Sequence, residues 1–334
     1  MLWILLCLSL CIIIFLVMLY PAVMVGAEKE ANIKIPRGAT TEQVRDSLSK
    51  HLGDEFAGHV MRLAALRGTD FSKRHGAYTV TKGMNALEAM RKITSGAQTP
   101  VRITINGFRN FPLLIDKISE KMEFPADSLR ALVNDPQVMA QYGLTPDNAM
   151  ALFLDDTYEI YWTASARDLL KKIGDHYLFV WSPTFQKQVA EQGLTPAEMT
   201  ILASIVDEET NNAAEKGVIG QLYLNRLHSR MKLQADPTVR FAIGDFTIKR
   251  ITKKDLGFES PYNTYLHNGL PPGPIRTTSH ATIKSILEAK PNNYLYMCAS
   301  EDFTGTHNFA TTYDEHLRNA TRYQSALDKM GITR

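Results

Sequence analysis

The sequence predicts an α+β protein with an N-terminal transmembrane helix over residues 1–26, a small α+β module over 28–98 and a larger mixed α+β domain over 99–334. Three observations lead there. The run Met1 to Tyr20 holds no charged residue and only Ser9 as a clearly polar side chain. Between residues 31 and 80, short β-type and helical patterns follow one another as strand, helix, helix, strand. From residue 195 onward, well-punctuated helices precede two short β-type runs.

The chain has 334 residues, 45% of them hydrophobic, enough for one large or two moderate cores. Its formal net charge of +2 sets up no strong field, so bulk charge points to no nucleic-acid partner and any substrate must be recognised locally. Cys7 and Cys11 lie in the apolar N-terminal run and Cys298 stands alone in the rest, which excludes a disulfide or a paired-cysteine metal site there.

About 20 residues at helical rise cross a bilayer core, so the first segment reads as a membrane-crossing one. It is either a retained anchor or a signal peptide cut after Val25-Gly26-Ala27. Its length favours the anchor, because the apolar regions of signal peptides span only about 7 to 15 residues. No Lys or Arg precedes it to set orientation, but both readings carry the chain beyond about residue 28 across the membrane.

Ala31 to Gly38 reads as a strand and turn, Glu42 to His51 and Glu55 to Leu66 as helices, and Ala77 to Val80 as a second strand. A helix at Asn85 to Ser95 follows, and Ser, Gly and Pro between Ser95 and Pro100 mark the boundary between modules. A strand at Val101 to Ile105, helices at Pro112 to Met122 and Asp127 to Asn134, and a Thr- and aromatic-rich segment at Phe153 to Trp162 come next. Thr195-Pro196-Ala197-Glu198 is a helix start: Thr as N-cap, Pro in the first turn, Glu198 completing a capping box. The helix should run through Glu209, with others at Ala214 to Leu227 and Ala281 to Ala289, and strands at Tyr294 to Ala299 and His307 to Ala310.

In the helix from Pro196, Leu202, Ile205 and Val206 form an apolar stripe, and Glu209 is its next member. At about 100° per residue, Glu209 projects near the middle of that stripe, whereas Asp207 and Glu208 are expected on the solvated side. A helix end reaching solvent, with Glu209 paired to a nearby Arg or Lys, is the structural explanation. The functional one is a desolvated carboxyl that stays protonated near neutral pH and donates its proton to a leaving group. The residues around it suit a sugar: Asn225, Gln234, Asp236, Tyr262, Asn263, Thr264, Tyr265, His307 and Asn308 offer amides, hydroxyls and flat aromatic faces. A Pro-rich loop at Leu270 to Pro274 could line a groove rigidly.

The strings ILASIVDEET (201–210), YLNRL (223–227), LQADPT (233–238), SPYNTY (260–265), GLPPGPI (269–275) and THNF (306–309), in that order, resemble the MltG (YceG-like) endolytic transglycosylases. The resemblance extends back through Asp156-Thr-Tyr158 and His75-Gly-Ala-Tyr78 to Ile35-Pro-Arg-Gly38. There are departures. Asp207-Glu-Glu-Thr210 stands where the family commonly has Glu-x-Glu-Thr with a basic middle residue, Asn106-Gly107 replaces a Glu-Gly pair, and Asp155 replaces a proline.

The resemblance implies a LysM-like fold for residues 28–98, attachment to the bacterial inner membrane with residues 99–334 catalytic in the periplasm, and peptidoglycan synthases as further partners. It implies peptidoglycan glycan strands as substrate, with no metal and no cofactor. Glu209 would protonate the oxygen leaving C1 of an N-acetylmuramic acid unit, and its carboxylate would then take the proton of that sugar's C6 hydroxyl as a 1,6-anhydro end forms. Glycosidases ordinarily need two carboxylates, but a nucleophile belonging to the substrate removes the need for the second. The eight residues Asn225, Gln234, Asp236, Tyr262, Asn263, Thr264, Tyr265 and His307 would bind the glycan. A hydrolytic muramidase using Asp236 as second carboxylate, and a non-catalytic wall-binding scaffold, are the competing readings.

Overall fold

The computed structural model describes Trp3, Ser9, Ile12, Ile13 and residues 20–24, 26–248 and 250–330. Most of the expected membrane-crossing run lies outside the described residues, among which no helix is long and apolar enough to cross a membrane. Along the chain come α1 (Tyr20–Met24), β1 (Ala31–Ile35), α2 (Thr41–Leu52), α3 (Asp54–Leu66), β2 (Gly76–Val80), α4 (Ala86–Ser95), β3 (Val101–Ile105), α5 (Phe111–Ser119), α6 (Ala126–Val133), α7 (Pro136–Ala140), β4 (Asp156–Ile160), α8 (Ala166–Val180) and α9 (Pro183–Glu191). Then follow α10 (Pro196–Glu209), α11 (Ala213–His228), α12 (Asp236–Ile243), α13 (His280–Leu287), β5 (Tyr296–Ala299), β6 (His307–Ala310) and α14 (Tyr313–Lys329). The strands form three two-stranded sheets, β1 with β2, β3 with β4 and β5 with β6, so the protein is α+β. Helices α7, α8, α9, α12 and α14 lie in stretches where sequence patterns assign no element.

The chain folds as two units, one of residues 1–103, 118–126 and 159–169, the other of 104–117, 127–158 and 170–334.

In the first unit the expected strand, helix, helix, strand order is present. β1 runs antiparallel to β2, Ala31 opposite Val80 and Ile35 opposite Gly76. Ile33 and Ile35 point inward while Asn32 and Lys34 point out, the alternation of a half-buried strand. α2 opens on a capping box in which Thr40 Oγ1 accepts the Gln43 N–H and Gln43 Oε1 accepts the Thr40 N–H. Val44, Leu48, Val60, Tyr78 and Ile93 complete the core. Ala22 of α1 and Ala27 belong to that core as well. The Ala27 N–H donates to the Met84 carbonyl at 2.9 Å and the Ala27 carbonyl accepts the Gly83 N–H at 2.8 Å.

The second unit is organised around α10, whose residues Ala197 and Met199 to Asp207 are all buried. α11 and α13 both pack on it and on each other. Two glycines permit the α11–α13 contact: a Cβ on Gly217 would lie 2.6 Å from the Ser285 carbonyl oxygen, and one on Gly220 would lie 2.5 Å from Ile286 Cγ1. β5 and β6 pair antiparallel, Tyr296 opposite Ala310 and Ala299 opposite His307, and α14 packs on that sheet.

Candidate active site

The helix carrying Glu209 starts as its sequence predicts. Thr195 Oγ1 accepts the Glu198 N–H at 3.2 Å and the Glu198 carboxylate accepts the Thr195 N–H at 2.8 Å. It stops at Thr210, whose backbone is extended at φ −145° and ψ 139°, making Glu209 the last helical residue. The Ser204 hydroxyl donates to the Ile201 carbonyl and accepts the Ile275 N–H at 3.1 Å, tying the end of the Pro-rich loop to the helix.

Asp207 and Glu208 are not on a solvated face. Asp207 is buried, its carboxylate accepting from Lys216 Nζ at 2.6 Å and from the hydroxyls of Thr278 and Thr282. Glu208 Oε1 accepts from Arg109 Nε at 2.8 Å and Arg276 Nη1 at 3.2 Å, with its side chain only 5% exposed. The stripe argument fails here because a helix packed on nearly all sides has no solvated face. Both carboxylates are held by cations and hydroxyls, as buried charges must be.

Glu209 faces a cavity of about 320 Å³ with Tyr223, Gln234, Asp236, Tyr265 and His307 among its lining. Tyr223, on α11, donates its O–H to Glu209 Oε1 at 2.5 Å. Desolvation pushes the Glu209 carboxyl up to about 7; the Asp236 charge also raises it, while the Tyr223 hydrogen bond and the charges of His307 and Arg240 pull it down. That shift keeps a share of the Glu209 carboxyl protonated near neutral pH, where an ordinary carboxyl would be ionised. On α12, Asp236 Oδ1 accepts the Tyr265 O–H at 2.6 Å. Gln234 is held in the left-handed backbone region at φ 50°, a conformation costly for a side chain other than Gly, Asn or Asp and one that clusters at functional sites.

Of the residues proposed from sequence, Gln234, Asp236, Tyr265 and His307 share the Glu209 cavity. Tyr262 lines a different one, of about 370 Å³, with Arg109, Asp147 and Phe241. Asn225, Asn263 and Thr264 are not in the lining of the Glu209 cavity and make hydrogen bonds within the protein. Asn225 Nδ2 donates to the Asn292 and Tyr294 carbonyls. Asn263, fully buried, donates to the Leu256 and Phe258 carbonyls and accepts the Tyr265 N–H. Thr264, also buried, accepts the Ala235 N–H and shares a 2.8 Å hydroxyl contact with Thr238. Asn263 and Thr264 spend their polar groups on the loops that carry Tyr265 and Gln234, and Asn225 on the segment leading into β5. Asn308 Nδ2 turns to Glu301. Tyr223, Glu215 and Arg226 are the additions: Arg226 donates to the Leu233 and Leu295 carbonyls, bracing both walls.

A carboxyl pushed up to about 7 in a cavity lined by tyrosine, amide and imidazole groups, on an α+β frame, defines the class: a protein with a site able to donate a proton. The YceG-like family model matches residues 33–322, and the chain belongs to that family. It is 25% identical over 317 residues to the endolytic murein transglycosylase of Bacillus subtilis (strain 168), covering 89% of this chain and 86% of that protein. It is 23% identical over 330 residues to the endolytic murein transglycosylase of Streptococcus pneumoniae serotype 2, of whose length the matched region spans 59%. A crystal structure of a YceG-like protein from Listeria monocytogenes superposes with a TM-score of 0.57 at 24% identity, over 87% of this chain and 98% of that one, a likeness of fold.

Proposed function

We propose that this protein is an endolytic lytic transglycosylase of peptidoglycan, cutting the bond between N-acetylmuramic acid and N-acetylglucosamine and leaving 1,6-anhydro ends. The observation that carries the reading is Glu209, a carboxyl raised to about 7 inside a polar cavity. Near neutral pH it delivers its proton to the bridging oxygen as that oxygen leaves C1. The C6 hydroxyl of the same sugar closes on C1, its proximity replacing an enzyme nucleophile. Membership of the family and the names of the relatives from B. subtilis and S. pneumoniae support the substrate.

Residues 28–98 act as a LysM-like glycan-holding module, and 99–334 as the catalytic domain, on the periplasmic side of the inner membrane. Residues 1–26 anchor the chain there, beside peptidoglycan synthases whose nascent strands it ends. The packing of Ala22 and Ala27 into the core of the first unit supports retention of this segment, since a cut after Ala27 would strip both core residues. A hydrolytic reading finds its second carboxylate in Asp236, which shares the cavity. Digestion of purified glycan strands by the full-length protein, with mass analysis of the fragment ends, decides: anhydro ends support the proposal, reducing ends refute it in favour of hydrolysis, and uncut strands refute both.

A further inference from the structure

The cavity contains a second arrangement suited to moving a proton. Glu215 lies in the first turn of α11, and both of its carboxylate oxygens accept from one residue of β6. Oε1 accepts the main-chain N–H of His307 at 2.8 Å, and Oε2 lies 3.0 Å from His307 Nδ1. The two side chains are only 12% and 17% exposed. An ionised carboxylate can only accept, so the contact keeps a proton on Nδ1 and leaves Nε2 as the nitrogen free for other use. His307 lines the Glu209 cavity. Glu209 closes α10 while His307 lies on β6, so the acid and the imidazole come from separate elements.

Chemistry distinguishes the two groups. Glu209 Oε1 is committed to the Tyr223 O–H at 2.5 Å, which leaves Oε2 to carry the proton that goes to the leaving oxygen. An imidazole backed by a carboxylate is the partner for the opposite transfer, because the carboxylate stabilises the imidazolium that forms and fixes the ring's orientation.

We propose that His307 Nε2 accepts the proton of the attacking C6 hydroxyl, with Glu215 as the residue that positions it. The assignment rests on the transglycosylase reading and replaces Glu209 in the second half of the reaction. As the C6 oxygen bonds to C1, the bond from C1 to the bridging oxygen breaks. The Glu209 proton goes to that oxygen and the hydroxyl proton to Nε2. The imidazolium then returns a proton through solvent to the Glu209 carboxylate, restoring both groups with no other reactant.

Two measurements on full-length protein test this. Nitrogen-15 NMR of histidine-labelled wild type should show His307 protonated at Nδ1 with Nε2 bare, and Glu215→Gln should mix the tautomers. On long glycan strands, His307→Gln should lower kcat about 10²- to 10³-fold, and Glu215→Gln roughly 10- to 100-fold, with the loss in kcat and not in KM. Wild-type strand cleavage accompanied by full kcat in both variants, by losses confined to KM, or by an Nε2–H tautomer in the wild type overturns the assignment alone. Wild-type protein that makes no anhydro ends overturns the functional reading and this assignment with it.

Discussion

Replacing Tyr223 by Phe removes one hydroxyl and little else, and its effect can be worked through from the site. The Tyr223 O–H is the strongest of the influences that hold the Glu209 carboxyl down against desolvation. A buried hydrogen bond to a charged acceptor contributes about 1.5 to 3 kcal/mol, equivalent to roughly 1 to 2 pH units. Without it the Glu209 carboxyl should climb by that amount above about 7. A general acid works only while protonated, so wild-type kcat/KM should be present below pH 7 and fall as pH rises through it. In Tyr223→Phe the falling limb should move to higher pH by roughly 1 to 2 units, and the plateau rate should drop because a weaker acid transfers its proton less readily. The assay is a pH profile of kcat/KM on defined glycan strands, with circular dichroism at each pH to confirm folding. A limb that stays put or moves down would show that the acid seen kinetically is not the carboxyl held by Tyr223.

Glu209→Gln should abolish cleavage, losing at least about 10²-fold, and should also stabilise the protein at high pH. The folded carboxyl is raised from 4.5 to about 7, so the stability it contributes is complete below 4.5 and lost as pH rises to 7; thermal melts should separate variant and wild type by up to about 3 kcal/mol at pH 8 and hardly at pH 4. Asp207→Asn should destabilise by roughly 3 kcal/mol in urea melts, because Lys216 loses its buried partner, and Glu208→Gln should similarly loosen Arg109 and Arg276; melts unchanged from wild type in both would contradict the network. Gln234→Ala should lower turnover with little loss of stability, whereas Asn263→Ala should cost about 2 kcal/mol by orphaning the Leu256 and Phe258 carbonyls, so equal melting points for the two would contradict the supporting role of Asn263.

Short-range signals in the chain proved readable where their physics is local. The capping box at Thr195 and Glu198, and the alternation of Ile33 and Ile35, depend on neighbours within a few positions and appear as expected. Glu209 was legible because a carboxylate in an apolar register conflicts with its surroundings. The same reasoning misjudged Asp207 and Glu208, since the partners that bury them, Lys216, Thr278, Thr282, Arg109 and Arg276, come from distant positions. The internal bonds of Asn263 and Thr264 leave no mark in the sequence, because a polar residue in a loop looks the same whether it faces a ligand or a backbone group. Tyr223 lies in a motif string, but its bond to Glu209 is not legible there because it crosses from one helix to the next. α14 is mostly polar along its 17 residues, and one buried side chain, Asn319, offers little apolar period to detect.

The glycines on α11 determine how tightly the two halves of the site are coupled. With Gly217 against the Ser285 carbonyl and Gly220 against the Ile286 side chain, α11 contributes no side chain of its own to the contact at those points. Glu215 and Tyr223 sit at opposite ends of this seam, one reaching His307 and the other Glu209. A methyl wedged at either glycine would act as a spacer, tilting the helix and drawing one of those contacts open as the other is driven inward. The spacing of those contacts is thus gauged by hydrogen atoms less than a turn away from Glu215 and Tyr223, and an enzyme could be detuned there without altering either side chain.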